Sequence, residues 1–183
     1  MRKIINSTYI SLDGVVELPH EWPTIEQPSD GRGDEIQLNL LMACDTVLMG
    51  RRTYESFAPT WQARSGDPFS DRMNAMAKYV VSTTLTDPDW TNTTVISGDV
   101  AERIRQLKEE PGQDIVQYGF GVVSTLLMEH GLLDELRLWL DPLFVGKGST
   151  DDVLFPKGPP TQFVLTDSTI LKSGMAILSY QPA

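Results

Sequence analysis

Cysteine is nearly missing from this chain: Cys44 stands alone among 183 residues. No intramolecular disulfide can form. The thiol sits in an apolar stretch of helical spacing with no base beside it, so it reads as a buried structural group rather than a nucleophile. Histidine is almost as scarce. His20 and His130 lie far apart, with no Cys or Glu at ligand spacing, so no metal site is expected. The His-x-Glu and Pro-Cys-x-x-Cys signature of zinc deaminases is absent too. No apolar run approaches the ~18 residues of a membrane span. The start, Met1-Arg2-Lys3-Ile4-Ile5-Asn6, lacks the apolar core of a signal peptide, so a reducing, cytoplasmic setting is expected. Positive charge is in deficit: 15 Lys and Arg against 25 Asp and Glu leave a net −10, which argues against nucleic acid or an anionic membrane as partner. Repeats, low-complexity tracts and interdomain linkers are also missing. With 40% hydrophobic and 22% charged residues, the chain reads as one soluble domain over 1–183.

What is there turns on the stretch from Asp45 to Phe57. Val47-Leu48-Met49 is a short apolar run of the buried-strand kind, broken at Gly50. Tyr54, Phe57, Ala58 and Trp61 then recur at i, i+3, i+4 and i+7, one face of a helix closing near Pro59. Gly50, Arg51, Arg52 and Thr53 therefore fall at a helix start, where backbone N–H groups are unpaired and the dipole is positive. Two arginines oppose that dipole unless an anion lies between them. A phosphate fits the pattern; the plain alternative is two solvated arginines on a surface turn.

Elsewhere the elements alternate. A strand is expected over residues 4–12, then a long loop over 15–33 with three prolines, a candidate lid. A helix follows from Asp34, with Ile36, Leu40, Ala43 and Cys44 on its apolar face. A short helix around Phe69, Met73 and Met76 precedes a strand at 79–82, and another strand covers 93–96. Asp99 with Glu102 reads as a capping box opening a helix that stops at Pro111-Gly112. A strand over 114–118, the turn Gly119-Phe120-Gly121, a helix ending at Gly131 and a strand over 136–140 come next. Runs at 163–171 and 175–180, joined by Lys172-Ser173-Gly174, predict an antiparallel hairpin. This order predicts an α/β fold in three layers: a mixed, mainly parallel central sheet, helices on both faces and a C-terminal antiparallel hairpin. Open α/β sheets bind ligands beyond the carboxyl ends of their strands. Three turns lie there: Gly50-Arg51-Arg52-Thr53, Ser82-Thr83-Thr84 and Gly119-Phe120-Gly121. Together they suit a ligand with several phosphates, such as a dinucleotide.

Met49-Gly50-Arg51-Arg52-Thr53-Tyr54-Glu55-Ser56-Phe57 resembles the Gly-Arg-x-Thr-aromatic motif of the dihydrofolate reductase-like family. That family includes the reductase domain of bifunctional riboflavin-biosynthesis deaminase-reductases. The resemblance runs on through Ser11-Leu12-Asp13-Gly14, Lys78-Tyr79-Val80-Val81-Ser82, Gly131-Leu132-Leu133-Asp134-Glu135-Leu136, Pro142 with Gly146-Lys147-Gly148, and Leu154-Phe155. It implies a reductase half without a deaminase half, with NADPH as cofactor. Gly50, Arg51, Arg52 and Thr53 would hold its pyrophosphate and 2′-phosphate. Ser82 and Thr83 would flank the adenosine-side phosphate, and Gly119 and Gly121 the pyrophosphate and nicotinamide side. Many relatives carry adjacent glycines where this chain has Gly119-Phe120-Gly121. In dihydrofolate reductases that pair forms a cis bond, which Phe120 would make costly, ~2.5–4 kcal/mol.

The resemblance also implies an acid near Asp34, sixteen residues before Gly50 (50 − 34). Asp34 is the catalytic candidate, Glu35 its rival, and a helix-start carboxylate without chemistry the alternative. Leu38 and Leu41 suggest apolar surroundings for it. Asp13 matches a family motif that an ordinary Asp-Gly turn explains equally well. The implied activity is reduction of a pyrimidine or pterin, by closest resemblance 5-amino-6-(5-phosphoribosylamino)uracil. A dihydrofolate or pterin reductase is one alternative, and a dinucleotide-binding module without turnover another. Relatives commonly pair through the late strands, whose edges need covering, so a homodimer is expected.

Overall fold

The computed structural model describes residues 1–23, 27–146, 152–154 and 160–183. Among these residues eight strands form one sheet: β1 (Ile4–Ser11), β2 (Cys44–Gly50), β3 (Ala77–Val81), β4 (Thr93–Ile96), β5 (Asp114–Tyr118), β6 (Glu135–Asp141), β7 (Phe163–Ile170) and β8 (Ala176–Pro182). Their spatial order is β4-β3-β2-β5-β1-β6-β8-β7. The first six pair in parallel, whereas β8 runs antiparallel to β6 and β7. Among the described residues five α-helices cover it: α1 (Arg32–Ala43), α2 (Arg51–Gln62), α3 (Pro68–Ala75), α4 (Val100–Glu109) and α5 (Val122–Glu129).

Each face of the sheet has its own core. Leu40, Leu41, Tyr54, Ala58, Met73 and Met76 from α1–α3 pack on Val47, Met49, Val80 and Val116. Ile104, Leu107, Val123 and Leu127 from α4 and α5 pack on Ile4, Leu48, Ile96 and Ile115. The architecture is the three-layer α/β fold expected from the alternation, with the β7–β8 hairpin at one edge. The amino ends of the strands are tied by buried cations. Arg2 bonds Asp45, Thr46 Oγ1 (2.6 Å) and the Gln113 carbonyl, and Lys108 Nζ donates to Asp134 at 2.5 Å. Lys78, fully buried, donates to the carbonyls of Asn74, Met76 and Thr91 at 2.8–3.0 Å, with Trp90 beneath it.

Several boundaries differ from the sequence reading. Cys44 opens β2 rather than closing a helix, and it is buried at the strand start. The buried stripe of α1 runs through Leu40 and Leu41 while Ala43 is exposed, and the helix starts at Arg32 behind Gly31, whose φ is 76°. Helix α2 continues through Pro59 to Gln62. Pro59 lies on the exposed face, where water can satisfy the carbonyl it leaves unpaired, and Phe57 and Trp61 pack against the core on the other side. Asp99 caps α4 through the Glu102 N–H. The reciprocal arm of the box is not made, because Glu102 bonds Arg105 and Gln106 instead.

Candidate functional site

The crevice in this sheet is set by the direction of its connections. The chain leaving β2 passes outward to β3 and β4, and the chain leaving β5 passes the other way to β6. β2 and β5 are neighbours, so the connections diverge at their carboxyl ends, the topological position at which open α/β sheets take ligands. Gly50 caps α2 there and Gly121 caps α5, and neither cap places a side chain on the first-turn N–H groups. The two helix starts touch. A β-carbon at Gly50 would lie 3.4 Å from Val123 Cγ2, and one at Gly119 would lie 2.4 Å from Thr53 Oγ1. Gly119 also has φ 79°, so only glycine fits it on both counts. Gly121 is open and extended, free of either demand. No cis bond occurs among the described residues, which removes the cost foreseen at Phe120.

The two arginines are not equivalent. Arg51 donates from Nε to Glu55 Oε1 at 2.6 Å and from a terminal nitrogen to Thr84 Oγ1. Part of the opposing charge at this helix start is therefore matched within the helix itself. Arg52 is exposed and has no ion pair among the described residues. Its charge is felt at Glu17, whose carboxyl is pushed up by burial, pulled down by Arg52 and pushed up by Asp152. Ser82 is nearly buried, and its Oγ accepts from the N–H groups of Thr84 (3.1 Å) and Leu85 (2.9 Å). It shapes its turn, and Thr83 is exposed on it. Arg51, Ser82, Thr83 and Thr84 thus lie together, and the link from Arg51 to Thr84 carried no sequence signal.

Asp34 lies apart, in a cleft of about 150 Å³ at the mouth of β1 and β6. Tyr9 and Trp139 form one wall, with ring centroids 5.5 Å apart. Leu171, Ser173 and Met175 of the hairpin turn form another, and Pro28, Ser29, Asp30 and Gly33 close it. Asp34 is exposed, and the apolar groups of its cleft are Trp139, Leu171 and Met175 rather than Leu38 and Leu41; Leu41 points into the core. Burial holds the Tyr9 hydroxyl in its neutral form, a bond from Gln37 opposes this, and Asp34 and Asp141 reinforce it. Two carboxylates and no Lys or Arg line the cleft among the described residues. Tyr9 and Trp139 were not foreseen as lining residues. Their signal was two large aromatics near the carboxyl ends of neighbouring strands.

The stem of the 15–33 loop is fixed. Val15 bridges Val153, Val16 N–H bonds the Asp152 carbonyl, and Leu154 N–H bonds that of Gly14. Asp13 ties it further, accepting from Ser11 Oγ (2.5 Å) and the N–H groups of Val145 (3.1 Å) and Gly146 (2.9 Å). These bonds hold its carboxyl down at about 2. Gly146 of the family motif is thus placed against Asp13, while Lys147, Gly148 and Phe155 lie outside the described residues.

The model of the RibD C-terminal domain family matches residues 2–177. The chain belongs to that family. An uncharacterized protein of Bacillus subtilis (strain 168), YyaP, is 30% identical over 155 residues, spanning 80% of this chain and 78% of its own. In fold, the RibD-type chain resembles a putative riboflavin biosynthesis protein from Shewanella sp. PV-4, with TM-score 0.70, 18% identity and 99% of both chains covered. It also resembles the diaminohydroxyphosphoribosylaminopyrimidine deaminase/5-amino-6-(5-phosphoribosylamino)uracil reductase of Thermotoga maritima, with TM-score 0.69 and 15% identity. All of this chain is covered there, and 57% of that one. The likeness to these two solved structures is one of fold. Among the described residues, no helix is long and apolar enough to cross a membrane.

Proposed function

We infer that this chain is an NADPH-dependent reductase of a pyrimidine or pterin ring. The observation that carries the reading is the meeting of two uncapped helix starts, α2 and α5, at the carboxyl ends of adjacent strands. Free N–H groups from both, the Arg52 guanidinium, Thr53 and the close approach at Gly119 make a donor set suited to a pyrophosphate and a further phosphate. Bound there, NADPH would supply a hydride. Gly50, Arg51, Arg52, Thr53, Thr83, Gly119 and Gly121 would hold it, with Ser82 setting the turn beneath Thr83. The cytoplasm and a homodimer remain part of this reading.

The Asp34 cleft, between Tyr9, Trp139 and the hairpin turn, is the proposed place for the ring. Asp34 and Asp30 would accept from ring N–H and amino groups. The same two carboxylates disfavour a phosphate inside the cleft. For 5-amino-6-(5-phosphoribosylamino)uracil, the substrate in the Thermotoga protein's name, the ribosyl phosphate would have to project away from them. The exposure of Asp34 favours a second reading, dinucleotide binding without turnover, because an exposed carboxylate is less suited to hold a proton for transfer.

One experiment separates the two. Purified protein is titrated with NADPH and then assayed for NADPH oxidation against a panel of pyrimidines and pterins, with and without a ribosyl phosphate. Turnover that falls about 100-fold or more in Asp34→Asn, with NADPH affinity unchanged, is expected. Binding without oxidation of any panel member would favour the non-catalytic module, and no binding would end both readings.

A further inference from the structure

Behind the Gly119 turn, on the face covered by α5, neutral polar side chains are packed away from solvent. Asn6 and Thr8 come from β1, Gln117 from β5 and Ser124 from the first turn of α5, and none is more than 3% exposed. Their bonds converge on one atom. The Gly119 carbonyl oxygen accepts from Gln117 Nε2 at 2.6 Å, Asn6 Nδ2 at 3.0 Å and Ser124 Oγ at 3.3 Å. Gln117 Oε1 accepts in turn from Asn6 Nδ2 and shares the single Ser124 hydroxyl proton (Oγ at 3.1 Å) with that carbonyl. Thr8 Oγ1 donates to Asn6 Oδ1 at 2.8 Å, which fixes the Asn6 amide.

An apolar cluster would fill the same space without desolvating four polar groups, each of which costs free energy unless bonded. The carbonyl held by the cluster belongs to the residue whose Cα abuts Thr53 of α2, and its peptide leads into the cap of α5. Tilting that peptide would shift the start of α5 against the start of α2. Packed side chains and interior hydrogen bonds are the means by which a binding backbone is held ready before the ligand arrives.

We propose that Asn6, Gln117 and Ser124 are positioning residues for the dinucleotide, fixing the Gly119 peptide so that the starts of α2 and α5 stand at the spacing a pyrophosphate bridges. The proposal rests on the dinucleotide reading above and extends it to interior residues. Since NADPH and NADH share the pyrophosphate, loss of the network weakens both cofactors alike.

The test is calorimetric titration of the full chain with NADPH and NADH, well below the Tm of every variant. Ser124→Ala, which removes one donor and favours helix, is expected to weaken both about 3- to 10-fold, as for one net hydrogen bond. Ser124→Thr keeps the hydroxyl and should stay within about 2-fold of wild type. Should Ser124→Ala fail to fold, Gln117→Glu carries the same measurement, because it keeps the shape and replaces the donor facing Gly119 with an acceptor. A lowered Tm with wild-type affinity for both cofactors would make the network purely structural and overturn the proposal alone. A wild-type chain that takes up neither cofactor removes the dinucleotide reading and this proposal with it.

Discussion

Replacing Arg52 by Ala is the sharpest probe of the proposed phosphate site, because the structure separates this residue from its neighbour. Arg51 is engaged by Glu55 at 2.6 Å and by Thr84, whereas Arg52 has no ion pair among the described residues. To bind a phosphate, Arg51 must first loosen an exposed i,i+4 pair, a cost of about 0.3–0.5 kcal/mol. Arg52 gives up only its long-range attraction to Glu17. A charge-assisted hydrogen bond contributes about 1.5–3 kcal/mol, and 1.4 kcal/mol is tenfold in Kd. Arg52→Ala should therefore weaken NADPH about 10- to 150-fold, and Arg51→Ala somewhat less. NADH, lacking the 2′-phosphate, should change by no more than about 3-fold in either variant. Titration calorimetry at low and moderate salt reads all of these values, and the Arg52 effect should shrink with salt because the side chain is exposed. Equal losses for NADPH and NADH would take both arginines away from the 2′-phosphate.

Lys78 offers a pH test of the scaffold. Burial pushes its ammonium from 10.5 down to about 8, so between those values the unfolded chain binds a proton that the folded one does not. Stability relative to Lys78→Met should therefore rise across that window, by at most about 3 kcal/mol since the carbonyls and Trp90 favour the cation. Urea unfolding of both proteins reads it, and a pH-independent difference would sink the assignment. Asp13, held down at about 2, contributes stability that is present above the ordinary carboxylate value and lost as pH falls through about 2. Asp13→Asn should speed amide exchange at Val145 and Gly146 near neutral pH, and its Tm deficit should vanish in strong acid; a deficit that persists there would mean the charge is not the cause. Strand β7 is an edge with Val164, Leu165 and Ile170 at least half exposed, so light scattering at micromolar concentration should give a dimer that Val164→Lys weakens; a wild-type monomer would refute it.

Much of the frame was legible because periodicity reports burial directly. Val47-Leu48-Met49 is buried on both sides, and Tyr54 and Ala58 face inward at the predicted spacing. Helix boundaries were less legible: Cys44 keeps the helical rhythm of α1 even though the strand has begun there, since a fully buried strand shows no alternation. The three carboxyl-end turns were readable from glycine and hydroxyl residues at strand ends. The network behind them was not. Asn6 and Ser124 are 118 positions apart (124 − 6), and nothing in their identities pairs them before the sheet brings β1 beside β5. Asn6-Ser7-Thr8, polar in the middle of a strand buried on both faces, was the available signal. The difference between Arg51 and Arg52 was hidden for a similar reason, because Thr84 reaches Arg51 only through the pairing of β2 with β3.

The buried cations Arg2, Lys78 and Lys108 all sit at the amino ends of the strands, whereas the carboxyl ends carry glycines, hydroxyls and exposed arginines. On the dinucleotide reading, durability and recognition fall at opposite poles. Substitutions at the exposed Arg51, Arg52, Thr83 and Thr84 can drift with little effect on the interior that keeps the chain folded, whereas Thr53 and Ser82 are tied to the turns they pack in. The Gly119 peptide is the exception, because its anchors Asn6, Gln117 and Ser124 belong to the interior. It is where a change of ligand would meet the most resistance from the fold.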